Sequence, residues 1–282
     1  MKRHLLLAAT MLFCFVASAQ TITKISADGS GNPFTLPKGS HVYGLFKMPN
    51  TCKALGVDDA HFTYIGEDAA EGRNLWNWQS TAKTPGGPQS PAGENNSFGQ
   101  PAEFYKMAGA TGWSGWGLNV GKNNPIDLSG ITSDFSFHFA VKQISRKGSA
   151  PVVCLYDGEG NEAKFEIGTG RGQLNIPADG NWYSVDISCA DLLDIYGVDF
   201  STAANKTYKD LNLFTFTWGA SPDGLYIDKA AFFYGPGEAT GIKNVQKNSK
   251  ASNGNVYNLS GQRINKINHG IFIQNGRKFI AK

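Results

Sequence analysis

Beyond its first twenty residues this chain has no long apolar run, no CxxC pair, no clustered histidines and none of the short signatures of common catalytic sites. Each gap excludes something. Without an apolar stretch of about 20 residues, no membrane-spanning helix is expected. Cys14, Cys52, Cys154 and Cys189 are scattered, which excludes a paired-cysteine zinc site and a disulfide framework. The G-x-S-x-G elbow, the HExxH helix and the Walker loop are all missing. His41, His61, His138 and His269 stand apart, so metal-ligand spacing is absent too. Carboxylates are missing from one region only. Residues 242–282 carry Lys243, Lys247, Lys250, Arg263, Lys266, Arg277, Lys278 and Lys282 with no Asp or Glu. The whole chain is only +3, so the segment 20–241 is acidic. An acidic body argues against nucleic acid, whose phosphates require a basic face. A basic tail suits an anionic cell surface or a secretion machine, or else is simply solvated.

What is present begins at the amino end. Lys2 and Arg3 precede the apolar stretch Leu5–Val16, and Ala17-Ser18-Ala19 is a small-residue cleavage site. Residues 1–19 therefore read as a secretory signal, and the protein is expected to be secreted or held at the outer cell surface. An oxidising space leaves room for one disulfide, with Cys154–Cys189 as the candidate pair; otherwise the thiols are buried small side chains. Residues 20–40 read as a leader.

Residues 41–236 contain short alternating runs broken by Gly, Pro, Asn and Asp. In DFSFHFAVKQI, Phe135, Phe137, Phe139 and Val141 share one face, while Ser136, His138, Ala140 and Lys142 share the other. This is the pattern of a half-buried strand. NWYSVDIS sets Tyr183, Val185 and Ile187 inward and Trp182, Ser184 and Asp186 outward. VVCLYDGEGNEAKFEI reads as a hairpin, because an EF-hand loop would need Gly where Glu162 stands. Only SCADLLDIYG reads as helical, with Ser188 as N-cap. Many short strands with regular turn signals predict an all-β fold, an antiparallel two-sheet β-sandwich of jelly-roll type. Residues 81–100 read as a long loop and 237–254 as a linker. Residues 255–282 read as a small C-terminal hairpin unit turning at Asn275-Gly276.

Two resemblances follow from these residues. VYNLSGQRINKINHGIFIQNGRKFIAK resembles the C-terminal tails of exported Gram-negative proteins handled by the type IX secretion system. Tyr257, Leu259, Gly261 and Arg263 match its first element, Gly270, Ile271, Phe272 and Ile273 its second, and Lys278 and Lys282 its third. The order FEIG, GNWYSVDIS, LFTFTWG, GLYIDKAAFFY is similar to galactose-binding-like jelly rolls and the carbohydrate-binding modules built on them. That resemblance implies glycan binding, and it implies structural calcium at a late-strand aspartate, here Asp228. The residues themselves equally allow a hydrogen-bonded or edge aspartate.

Candidate ligand groups are aromatic rings beside amides and carboxylates, since a sugar offers an apolar C–H face and hydroxyl edges. Trp76 and Trp78 in NLWNWQS fall on one strand face together with Asn74. Trp113 points away from Trp116, Leu118 and Val120, toward Gly115 and Gly117. Trp182 shares its side with Asp186. In each case the opposing reading is a core ring or a surface carboxylate. Glu67, Asp68 and Glu71 cluster without an identifiable partner for glycoside hydrolysis. The expectation is a non-catalytic protein that binds a polysaccharide or glycan. A structural or adhesive surface protein and a polysaccharide-cleaving jelly-roll enzyme are the alternatives.

Overall fold

The computed structural model describes residues 20–66, 75–78, 94–106, 114–119, 126–145, 150–170, 172–200, 212–218, 224–237, 256–257, 263–264, 270–274 and 277–281. The chain divides into two compact units, 1–238 and 239–282. The predicted signal and its Cys14, nearly all of the linker, and residues 81–93 of the predicted loop lie outside the described residues.

The first unit is mostly strand. Its elements in order are β1 (Gln20–Ile25), β2 (His41–Gly44), helix α1 (Pro49–Leu55), β3 (Phe62–Tyr64), β4 (Leu75–Trp78), β5 (Phe104–Lys106), β6 (Ser114–Asn119), β7 (Ser136–Gln143), β8 (Val152–Tyr156) and β9 (Glu162–Gly168). They continue with β10 (Leu174–Asn175), β11 (Trp182–Ser188), helix α2 (Cys189–Tyr196), β12 (Asn212–Trp218), β13 (Leu225–Asp228) and β14 (Phe232–Gly235). The larger sheet runs β1-β11-β7-β14-β2-β3, with β13 bridging β7 and β5; the smaller runs β10-β9-β8-β12-β6-β4. The sheets are mixed rather than purely antiparallel as predicted: β2 and β3 are parallel, and so are β9 and β10. Both parallel pairs lie at sheet edges, where a chain can return from outside the sheet without a hairpin.

The two sheets meet in one core. β7 supplies Phe137, Phe139 and Val141, β11 supplies Tyr183, Val185 and Ile187, and the smaller sheet answers with Leu118, Val153, Leu155, Phe165, Phe214 and Phe216. The rings of Phe137 and Phe214 stand 6.3 Å apart across the interface. These inward residues are the ones that two-residue periodicity selects, and aromatic side chains fit such a pleated surface. The β8–β9 hairpin forms as expected. Asp157 accepts the backbone N–H groups of Glu159 and Asn161 in its turn.

Helix α2 also forms where its cap predicts. Ser188 Oγ accepts the Asp191 N–H at 3.0 Å, and Gly197 ends the helix in the left-handed region at φ 71°. Helix α1 was not expected, although Pro49 opens it and left-handed Gly56 (φ 70°) closes it. Its N-terminal neighbour Met48 offers no cap. Instead the Glu103 carboxylate, far along the chain, accepts the N–H groups of Asn50 at 2.6 Å and Thr51 at 2.9 Å.

Two further expectations are corrected. Residues 20–40 are not a separate leader: β1 pairs with β11 over its whole length, from Gln20↔Ile187 to Ile25↔Trp182. No disulfide links Cys154 to Cys189; both thiols are free and buried, Cys154 on β8 and Cys189 at the start of α2.

The second unit is a sheet of order β16-β15-β17-β18, comprising β15 (Val256–Tyr257), β16 (Arg263–Ile264), β17 (Gly270–Gln274) and β18 (Arg277–Ala281). β17 and β18 pair from Gly270↔Ala281 to Gln274↔Arg277, which leaves two residues for the connection. Truncation of Phe137 to Ala is expected to cost about 3–5 kcal/mol, the usual range for deleting a buried ring. Urea unfolding followed by circular dichroism measures it as a lowered midpoint.

Candidate functional site

Most of the polar residues that periodicity aims outward from the larger sheet are buried, among them His138, Lys142 and Ser184. A third layer, made of the segment after β1, residues 94–103 and α1, closes over that face. Phe34 sits within 6 Å, centroid to centroid, of the rings of Phe98, His138, Phe232 and Tyr234. Asn32 Nδ2 donates to the Ser97 carbonyl at 2.9 Å, tying the two covering segments to each other. Gly29 makes this contact sterically feasible: at φ 76°, a Cβ there would lie 2.0 Å from the Asn96 carbonyl oxygen.

Beneath this layer the outward residues of the larger sheet form three linked groups. In the first, Lys142 on β7 is only 5% exposed. Its ammonium lies 4.4 Å from the ring centroid of Tyr226, 5.0 Å from Trp182 and 5.9 Å from Phe104, and donates to the Ala27 carbonyl at 3.2 Å. Burial lowers its pKa, and neighbouring Lys106 pushes the same way against Glu94 and Asp28. The three aromatic faces supply cation–π attraction where water is excluded.

In the second group, His138 is fully buried with Nδ1 2.9 Å from Asp186 Oδ1. The same carboxylate oxygen accepts the Tyr234 hydroxyl at 3.1 Å. The imidazole stacks on Phe232 at 4.9 Å, and its Nε2 has no hydrogen-bond partner among the described residues.

The third group centres on Asp228, which is also fully buried. Oδ1 accepts the Ala230 N–H at 2.7 Å and Asn96 Nδ2 at 3.2 Å, and Oδ2 accepts the Ser97 N–H at 2.8 Å. Asn96 Nδ2 also donates to Thr51 Oγ1 at 2.9 Å, and Thr51 Oγ1 donates to Glu103 Oε2 at 2.5 Å. One polar chain thus runs from β13 through the loop to the first turn of α1. Burial pushes the Asp228 carboxyl up to about 6, while Ser97, the Ala230 N–H and His138 hold it down.

These groups reassign several of the predicted ligand residues. Trp182 does lie on the outward side of its sheet, but it is 0% exposed. Its Nε1 donates to the Asn95 carbonyl at 3.1 Å and its ring faces Lys142, so it is a wall of the interior rather than a platform. Asp186 is committed to His138 and Tyr234. The Asp228 oxygens receive N–H donors from Ala230, Asn96 and Ser97. Among the described residues no group of three His, Cys, Asp or Glu side chains could hold a metal ion.

The smaller sheet turns a different surface outward. Leu118 and Phe214 belong to the core, so Gly117 and its partner Thr215 lie on the opposite side. Edge strand β4 pairs Trp76 with Gly117 and Trp78 with Gly115. By register both tryptophan positions therefore share one side of an edge strand, the side of Gly117 and Gly115; the spacing of NLWNWQS implied the shared face but left open which face it is. Trp116 pairs with Phe216 and occupies a core-side position. Further along this face stand buried Cys154, then Tyr156, which donates to Glu162 Oε1 at 3.1 Å, and the exposed pair Lys164–Glu166 at 3.6 Å. Gly115, Gly117 and Thr215 at its centre are buried. Asn74, Trp113, Glu67, Asp68 and Glu71 lie outside the described residues.

Sequence reasoning missed Lys142, His138, Asn96, Thr51 and Glu103. One signal was available: His138 and Lys142 interrupt an otherwise largely apolar strand, where a charged or polar residue needs a partner once covered. No protein-family model matches this chain, and comparison with curated proteins and with solved structures finds no match. Among the described residues no helix is long and apolar enough to cross a membrane.

The Asp228 network generates a pH prediction. A carboxyl whose folded pKa is raised from 3.8 to about 6 favours the fold most while protonated. Its contribution is present below about 4, is lost as pH rises to about 6, and amounts to roughly 3 kcal/mol. Asp228→Asn removes this dependence and also leaves one of two backbone N–H groups without an acceptor, at about 1–3 kcal/mol. Urea midpoints at about pH 4.5 and 7.5 should show the variant further behind the parent at the acid value. A constant gap would mean that Asp228 is not the group responsible.

Proposed function

We propose that this protein is a secreted or surface-held, non-catalytic glycan-binding β-sandwich of jelly-roll type. The observation that carries the reading is the register of β4, which sets Trp76 and Trp78 on the off-core side of an edge strand, opposite Gly117 and Gly115. Two indoles one strand-repeat apart match successive sugar rings, and glycine neighbours add no side chain between them. The interleaving of the chain supports the jelly-roll assignment: β6 in the smaller sheet is followed by β7 in the larger, β8 and β9 in the smaller, β11 in the larger, β12 in the smaller, and β13 and β14 in the larger. Export is supported by the signal-like first nineteen residues. The resemblance of residues 256–282 to type IX sorting tails makes the basic second unit the partner of the secretion machinery.

Affinity electrophoresis through gels loaded with individual polysaccharides tests the binding. Retardation of the full chain on at least one polymer is expected. Trp76→Ala and Trp78→Ala should each weaken it by about tenfold, the effect of roughly 1.4 kcal/mol at a buried aromatic contact. Absence of retardation on every polymer ends the glycan reading and puts a structural or adhesive role first. Release of soluble sugars by the purified chain would instead make it an enzyme. For export, deletion of residues 255–282 should leave the protein inside the outer membrane of a host that carries the type IX system; unchanged delivery removes the sorting role.

A further inference from the structure

Among the described residues the second unit is one layer, the sheet β16-β15-β17-β18, with no helix. Register assigns its residues to two sides. Arg263 pairs with Tyr257, Tyr257 with Ile273, and Ile273 with Lys278, so these four form one row across the whole sheet. Ile271 and its partner Ile280 lie two residues along on the same side. Val256, Ile264, Phe272 and Phe279 occupy the other side. Apolar positions thus stand on both sides of a single layer, whereas an antiparallel sheet that meets water ordinarily keeps one polar side for it. Apolar surface of this kind marks a site of association.

Charge narrows what the associate is. On the side of Ile271, Ile273 and Ile280, Arg263 belongs to β16 and Lys278 to β18, the two outermost strands. At the usual strand spacing these positions are about 14 Å apart. No carboxylate occurs anywhere in residues 242–282, where eight lysines and arginines are spread along the segment. A second copy would bring only more positive charge to the contact. A polysaccharide or a small anion would engage the cations and leave the isoleucines in water. Cations at both margins, with apolar positions between them, match a surface that is negative all round and apolar just beneath.

We propose that the second unit binds the surface of an anionic phospholipid bilayer, with Tyr257, Ile271, Ile273 and Ile280 at the acyl boundary and Arg263 and Lys278 at the phosphates. A tyrosine beside isoleucines suits that boundary, where an amphipathic ring is placed best. The association is interfacial and not a span: β17 and β18 have five residues each, against the nine to eleven that a membrane-crossing strand requires. Burial of apolar area and attraction to anionic lipid add in such binding. The proposal is independent of glycan binding and of sorting, since each can fail while vesicle binding holds.

Vesicle flotation of the full chain tests it. The chain should float with vesicles of mixed phosphatidylglycerol and phosphatidylcholine, and far less with phosphatidylcholine alone. Added salt should weaken the binding, because the cations are screened. Arg263→Gln and Lys278→Gln should each lower partitioning by about fivefold. The lipid comparison and the salt series use the unaltered chain, so the proposal stays testable if a variant misfolds. A photoactivatable lipid in the same vesicles should crosslink to residues 256–282, as located by peptide mass mapping. No flotation, equal flotation with neutral vesicles, or crosslinks confined to residues 20–238 overturns the proposal. Retention on immobilised polyglutamate without vesicle binding assigns the basic sheet to an acidic protein and overturns it as well.

Discussion

A β-sheet that is covered on both faces must find a partner inside the protein for every polar group its strands carry, because water no longer serves. The larger sheet here meets that constraint for most of the charged and polar residues on its central strands, His138 Nε2 excepted. Lys142 takes three aromatic faces and a carbonyl, Asp228 takes three N–H donors, and Asp186 serves both His138 and Tyr234. Several of these partners come from the covering layer itself: the Ala27 carbonyl, Asn96 and Ser97. The polar groups of the sheet are thus the attachment points of the layer, and the layer in turn keeps them dry. Helix α1 hangs on the same chain of bonds, since its free N–H groups end on Glu103 and its Thr51 joins Asn96.

Closure of that face decides where binding is sought. A ring such as Trp182, with its nitrogen donated to a backbone carbonyl and its face turned to an ammonium, is committed to the interior. The glycan proposal therefore rests on the rim of the smaller sheet, where register places positions 76 and 78 opposite Gly117 and Gly115.

Much of the local structure was legible in the sequence. The alternation in β7 and β11 named their core faces, Ser188 and Gly197 bounded α2, and the spacing around Asn275-Gly276 gave the β17–β18 pairing. Each of these signals acts over a few residues, so the neighbouring sequence contains the whole cause. Helix α1 was missed although Pro49 and Gly56 bracket it, because seven residues give little periodicity and its cap lies about fifty residues further on. The parallel pairs β2–β3 and β9–β10 and the incorporation of residues 20–25 into the larger sheet have no local signature either.

The candidate site divides along the same line. Amino-acid order alone determined that Trp76 and Trp78 share a face, that Trp182 and Asp186 share another, and that Asp228 interrupts an apolar strand. Whether a shared face meets solvent is not a property of the strand. It depends on what packs above it, and here residues 27–40 and 94–103 come from distant parts of the chain to cover one sheet. Periodicity reports direction, whereas exposure is set by long-range contacts, and only the tertiary structure decides which outward side chains become a second interior.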